Sequence, residues 1–230
     1  MLKQLPAVFG CLGLALAITA HADDSLKTQK DKVSYSIGIN WGAQLSQAKG
    51  KIDIEKVTQG MKDGFNGGQP KLTMDEMKQA ISDFQVAMQQ EQQAALAKVS
   101  TNNKKAGEDF LAKNKKEKGV ITLPSGLQYQ VIKEGTGASP KETDTVVTHY
   151  IGNLIDGKVF DSSYKRGQPA TFPVNGVIKG WTEALQKMKV GAKWKLFIPS
   201  ELAYGEKGPA SIGPNSVLIF EIELLEIKKS

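Results

Sequence analysis

Apolar residues between positions 33 and 65 recur at the spacing of a single helix face. Val33, Ile37, Trp41 and Leu45 set a stripe on a first helix that Lys49-Gly50 ends. Ile54, Val57, Met61 and Phe65 repeat the pattern on a second, with Asp53 as N-cap and Gly67-Gly68 as stop. Thr73 followed by Glu76 fits a capping box that opens a third helix. From there no Pro and only Gly107 interrupt the chain until Gly119, so one helix of roughly 45 residues could run about 65–70 Å at ~1.5 Å per residue. Met74, Met77, Ile81, Phe84 and Met88 alternate steps of three and four along it, the seam spacing that favours self-association. Packing of the same stripe within one chain, against the two shorter helices, is the alternative. Residues 89–93 dilute the stripe, and Leu96, Val99, Ala106 and Phe110 restore it only weakly, so the far end of the helix is expected to stand in solvent as a rod. The lysines of 113–118 read as a solvated last turn favoured by the helix dipole.

Beyond residue 119 the period changes to two. Leu127, Tyr129 and Val131 alternate with Gln128, Gln130 and Ile132, and residues 146–154 form a long β-prone run. Asp156-Gly157 is a hairpin turn before a further strand over 158–160. Phe220, Ile222 and Leu224 face one way and Glu221 and Glu223 the other, so the closing strand is half buried. A single short helix is predicted over 180–188, where Trp181, Leu185 and Met188 share a face and Gly191 stops it. The fold class is α+β: an N-terminal all-helical arm with one long connecting helix over 23–118, then an antiparallel sheet with a short helix over 119–230.

The first 22 residues read as a secretory leader, with Lys3, an apolar run over 8–18 too short to span a bilayer, and the small-x-small site Ala20-His21-Ala22. This predicts export, a mature chain from Asp23, and a periplasmic protein that is outer-membrane associated or surface exposed in one version of the reading. A lipid-attachment reading of Val8-Phe9-Gly10-Cys11 competes, but leaves too short an apolar core ahead of Cys11. Cleavage after Ala22 removes Cys11 and His21, leaving His149 and no thiol, so disulfide, thiol and zinc chemistry are close to excluded. With 30 Lys+Arg against 24 Asp+Glu in 230 residues, both signs scattered, the charge of +6 speaks for solubility. No basic stripe with interleaved aromatics marks a nucleic-acid partner.

No nucleophile-base pair stands out. Gly-x-Ser-x-Gly is absent, His149 sits inside an apolar run as a structural histidine, and Gly135-Thr136-Gly137 lacks a phosphate-loop Lys and reads as a turn. Glu221 and Glu223 read as a solvated face. The second half is instead rich in aromatics: Tyr150, Phe160, Phe172, Trp181, Trp194, Phe197, Tyr204 and Phe220. Tyr204, in a Gly/Pro-rich loop, and Phe160, beside Asp161 at a strand end, are poor core positions. An apolar, aromatic-lined pocket suits a bound ligand.

Val147-Thr148-His149-Tyr150, then Gly152-x-Leu154-x-Asp156-Gly157-x-x-Phe160-Asp161-Ser162-Ser163, then Val177-Ile178-x-Gly180-Trp181 and Ala203-Tyr204-Gly205 carry a resemblance in order and spacing over about 110 residues. They resemble the FKBP family of macrolide-binding peptidyl-prolyl cis-trans isomerases. With leader and arm, the whole chain is similar to the macrophage infectivity potentiator type of Gram-negative bacteria. The resemblance implies a sheet wrapped around the short helix, with Trp181 as pocket floor and Val177, Ile178, Phe172 and Ile212 beside it for substrate binding. Tyr150, Phe160, Tyr204 and Phe220 would be catalytic walls, Asp161 the polar rim residue, and Arg166 its partner. The Tyr204 hydroxyl and the Ile178 N–H would hold peptide or macrolide carbonyls. It further implies proline-containing polypeptides as substrates, macrolide inhibitors of the tacrolimus and rapamycin class, a homodimer through the N-terminal helices, chaperone activity, no cofactor and no metal. Two departures bear on specificity: Ala170 stands where many relatives place an aromatic, and the loop 205–213 is one residue shorter and lacks the His of some members. A non-enzymatic chaperone or surface-interaction protein working through the helical arms is the competing reading.

Overall fold

A computed structural model describes residues 25–228; the leader with its cleavage site, Cys11 and His21 lie outside the described residues. The chain divides between Glu76 and Met77 into two compact units.

In the first unit, α1 is Gln29–Leu45 and α2 is Ile54–Phe65. Asp53 caps α2 as expected, its carboxylate accepting from the N–H groups of Glu55 (2.9 Å) and Lys56 (3.4 Å). Thr28 and Asp31 form a capping box on α1 that the sequence reading did not assign. Neither helix buries a residue: Ile37 is 46% exposed, Trp41 49% and Phe65 93%. The apolar stripes predicted for them are therefore formed but uncovered.

Helix α3, Met74–Asn114, has 41 residues and is about 60 Å long at ~1.5 Å per residue. The Thr73–Glu76 capping box opens it, with Glu76 N–H donating to Thr73 Oγ1 (3.2 Å) and Thr73 N–H to Glu76 Oε2 (2.7 Å). It stops at Asn114, short of Gly119, because Asn114 is buried and donates to Gln128 Oε1 (2.8 Å), while Gln128 donates to the Leu111 carbonyl (3.0 Å). The expectation of a solvent rod at the far end is corrected here. Ile81 and Leu96 are exposed, but the last turns lie against the sheet, with Phe110 packed 6.0 Å from Phe197. Residues 115–118 are exposed, as the charge run predicts.

Among the described residues the sheet has seven strands: β1 Val120–Thr122, β2 Gln128–Lys133, β3 Thr145–Leu154, β4 Val159–Ser162, β5 Ala170–Pro173, β6 Lys193–Ile198 and β7 Leu218–Lys228. The order is β1-β2-β6-β7-β3-β4, with β5 also on β3 and every pair antiparallel. Strand β3 organises the site. One edge runs along β7, and the other is shared by β5 (at Thr145 to Thr148) and β4 (at Ile151 to Asn153). Short helix α4, Lys179–Leu185, buries Trp181, Ala184 and Leu185 in the same core as Val146, Leu196, Ile222 and Leu224. The inward alternation of Phe220, Ile222 and Leu224 is as the period-two pattern predicts.

Candidate functional site

Sheet and helix leave one aromatic cavity of about 360 Å³. Tyr150 from β3, Phe160 and Asp161 from β4, Phe172 from β5 and Phe220 from β7 line it, with Gly176, Val177, Ile178 and Trp181 where the chain enters α4. Tyr204 joins them from the loop after β6. The period-two pleat explains the convergence: Tyr150 and Phe220 are inward positions on neighbouring strands, and the β4 hairpin folds Phe160 back over them.

The rings pack edge to face. Trp181 meets Tyr150 at 5.1 Å and 87°, Phe220 at 5.1 Å and 84°, and Phe172 at 5.8 Å and 85°. These are favourable quadrupole geometries, and they fix the indole as a rigid floor. Phe160 crosses Phe220 at 5.5 Å and 89°. That crossing requires Gly152, where a Cβ would fall 2.7 Å from both rings. The sequence reading did not give Gly152 a role, though a glycine inside a strand is itself a signal of close approach.

Polar groups are confined to the rim. The Tyr150 hydroxyl donates to Asp161 Oδ2 (2.5 Å) and accepts from Arg166 Nη2 (2.6 Å), and Arg166 Nη1 pairs with Asp161 Oδ1. The Arg166 guanidinium also lies 5.3 Å from the Tyr150 ring centre. Burial alone would raise the Asp161 carboxyl, but the hydrogen bonds from Tyr150 and Arg166 and the Arg166 charge outweigh it and hold it below the usual carboxylate range. Burial, then the bond to Asp161, push the Tyr150 hydroxyl above the ordinary tyrosine range, against the pull of Arg166. Asp161 is thus an anion at neutral pH and Tyr150 a neutral donor. Behind them Ser163, fully buried, ties β4 to β3: its hydroxyl accepts from Tyr150 N–H (2.8 Å) and lies 3.0 Å from His149 Nδ1. His149 stacks on Tyr164 at 4.6 Å, away from the cavity-lining residues.

Three donors face the cavity region without a protein acceptor among the described residues. They are the Ile178 N–H and the Tyr204 hydroxyl, both on cavity-lining residues, and the indole N–H of the Trp181 floor, which is screened from solvent and so is not open to a ligand. The first two, at an apolar cavity, suit a ligand that brings carbonyl oxygens.

Of the residues singled out from the sequence, Tyr150, Phe160, Asp161, Phe172, Val177, Ile178, Trp181, Tyr204 and Phe220 come together here. Arg166 is a rim partner and does not line the cavity. Ile212 is not brought in either. It is buried in the core and borders a neighbouring cavity of about 240 Å³ with Asn103, Leu154, Ile155 and Ser216. Ala170 sits on β5 opposite Thr148, one pleat from Phe172.

Comparison with known proteins agrees with this geometry. Residues 136–225 match the model of the FKBP-type peptidyl-prolyl cis-trans isomerase domain, and residues 30–131 match the domain amino terminal to it. The chain is 47% identical over 232 aligned residues to the outer membrane protein MIP of Legionella longbeachae, covering 100% of this chain and 99% of that protein. It is 45% identical to the peptidyl-prolyl cis-trans isomerase Mip of Coxiella burnetii, covering 99% and 100%. The crystal structure of FkpA from Escherichia coli superposes with a TM-score of 0.73 at 40% identity, over 89% of this chain and 99% of that one. The aromatic cavity, the two matching domain models and the near full-length likeness to these proteins all lead to the same assignment: the chain belongs to the FKBP-type peptidyl-prolyl cis-trans isomerases, of the Mip and FkpA kind.

Proposed function

We propose that this isomerase works outside the cytoplasm on X-Pro bonds of folding envelope or secreted proteins, as a homodimer held by its N-terminal helices. The prolyl ring sits in the aromatic cavity over Trp181, and the Ile178 N–H and Tyr204 hydroxyl hold the flanking carbonyls. The unpartnered donors beside an apolar slot carry this reading. Macrolides of the tacrolimus and rapamycin class, whose carbonyls meet the same donors, compete for the slot. Residues 119–230 carry the site, and the arm within 23–118 carries association and the hold on unfolded clients. The leader-like segment and the relative whose name places it in the outer membrane support export.

The chemistry needs no nucleophile. An X-Pro bond turns slowly because amide resonance must be broken, a barrier of about 18–20 kcal/mol. In the twisted transition state the C–N bond loses double-bond character and the amide becomes less polar. A dry aromatic slot tolerates that state better than the planar ground state, while shape holds the ring in the turned geometry. Lowering the barrier by roughly 5–8 kcal/mol gives about four to six decades of rate. Asp161, kept ionised, locks Tyr150 and Arg166 so that the rim is fixed before substrate arrives.

The test is the cis-to-trans rate of a short X-Pro peptide with the mature chain, with and without a macrolide, alongside Asp161→Ala. The expected result is a fast rate abolished by inhibitor and lowered about tenfold or more by the substitution, at ~1.4 kcal/mol per decade. A rate that neither macrolide nor Asp161→Ala changes would remove the site from this cavity.

The uncovered stripes of α1 and α2 support self-association. Trp41, Ile37 and Phe65 are large apolar groups that a single chain leaves exposed, and a second copy is the partner that would cover them.

A further inference from the structure

Helix α3 meets the loop between β6 and β7 along a seam of small and polar residues. Ser100, Asn103, Gly107, Phe110 and Asn114 recur at steps of three and four, so they share one face. Asn103 Nδ2 donates to the Pro214 carbonyl (2.8 Å) and to Ser216 Oγ (3.2 Å), and Asn215 Nδ2 donates to Ser100 Oγ (2.8 Å). At Gly107 a Cβ would lie 2.7 Å from Val217 Cγ2, so the helix approaches the start of β7 as closely as its backbone allows.

The bonds continue from this seam to the cavity. The Asn215 N–H donates to the Gly205 carbonyl (2.8 Å), directly after Tyr204. Asn215 holds a left-handed φ of 52°, a region asparagine enters more readily than other non-glycine residues, and the turn it makes aims its N–H at Gly205. Ser216 Oγ, fixed by Asn103, donates to the Ile212 carbonyl (2.9 Å). Two hydrogen bonds therefore separate Ser100 from the residue next to Tyr204. Tyr204 has little else to hold it: it is 45% exposed, outside any strand, in a loop of short 3-10 turns and prolines. Loops of this kind sit at the low end of local stability unless tied down.

We propose that Ser100 and Asn103, on the connecting helix, are positioning residues for the isomerase reaction, setting the 205–217 loop so that the Tyr204 hydroxyl meets the substrate carbonyl. This rests on the assignment of Tyr204 to the substrate cavity. The last four turns of the helix are then part of the catalytic apparatus, and strain on the helix reaches the cavity through named bonds.

The test uses the full mature chain and an X-Pro peptide. Asn103→Asp is isosteric and sets a carboxylate oxygen against the Pro214 carbonyl; Ser100→Ala deletes one hydroxyl. Both are measured alone and in a Tyr204→Ala background, with the thermal midpoint of each. The expected loss in kcat/KM is about 5- to 20-fold for Asn103→Asp and about 2- to 3-fold for Ser100→Ala, both shrinking to near unity without the Tyr204 ring, as coupled neighbours require. Equal losses in both backgrounds would reduce the seam to a structural contact and overturn the proposal, as would unchanged turnover in both single variants. Should Asn103→Asp fail to fold, Ser100→Ala decides by the same criterion. If Tyr204→Ala alone keeps full turnover, the cavity assignment fails and this proposal falls with it. If Tyr204→Ala is impaired while both helix variants are not, only the positioning role is lost.

Discussion

The two ends of the chain treat their apolar residues in opposite ways. In the β-rich unit Leu127, Leu185, Met188, Leu196 and Ile222 are fully buried, each contributing ~1.5–3 kcal/mol of burial, and the aromatic cavity is cut from that dense core. In the arm, α1 and α2 have regular stripes and sound caps yet bury nothing. A helix of 12 or 17 residues gains its stability mainly from covering such a face. One unit thus carries its own packing, and the other presents a surface that packing by a second chain would complete. Catalysis sits in the first because a rigid indole floor needs a rigid core beneath it.

That contrast predicts where substitutions hurt. The largest effect is expected at Gly152→Ala, whose methyl enters the Phe160–Phe220 crossing. Overpacking there should cost about 1–3 kcal/mol and lower peptide turnover more than stability alone explains, read by chemical denaturation beside kcat/KM. An alanine at Gly60, where a Cβ meets nothing, should be neutral to stabilising by the same assay. Gly152→Ala behaving like Gly60→Ala would mean that the two rings are free to separate.

A smaller effect belongs to the rim pair. The folded Asp161 carboxyl lies below its unfolded value of ~3.9, so its contribution is complete above that pH and is lost as pH falls through the lower folded value. Arg166 and Asp161 are 45% and 42% exposed, so solvent screening keeps the gain small. Asp161→Asn should therefore be slightly less stable than the parent at pH 7, the gap closing toward pH 3 in a denaturation series. A gap that widens on acidification would reverse the assigned direction.

How much was legible in the sequence depended on the kind of signal. Asp53, the Thr73–Glu76 box and the Asp156-Gly157 turn were readable because each is a local device whose partners are adjacent in sequence. The alternation of Phe220, Ile222 and Leu224 was readable because burial follows the pleat directly. The docking of α3 was not, since its seam is made of Ser100, Asn103 and Gly107, which hydrophobic periodicity passes over. Strand β1 is three residues long and exists through its pairing with β2, which no local pattern announces. The cavity residues were found through a spaced resemblance; of the two others it named, Arg166 pairs with Asp161 at the rim and Ile212 lines the neighbouring cavity beside Asn103. Ser163 gave no sign of its buried role: within the run Ser162-Ser163 nothing marks which hydroxyl ties Tyr150 to β4.

The division of labour between the two units is tested most directly by placing charge on the uncovered stripes. The full mature chain carrying Trp41→Asp and Phe65→Asp would be followed by sedimentation and by turnover of a short X-Pro peptide per chain. This division of labour predicts a shift to monomer with kcat/KM within about twofold of the parent, because none of the cavity-lining residues lies on α1 or α2. A loss of tenfold or more in peptide turnover on dissociation would contradict it, and would make the arm part of the active site.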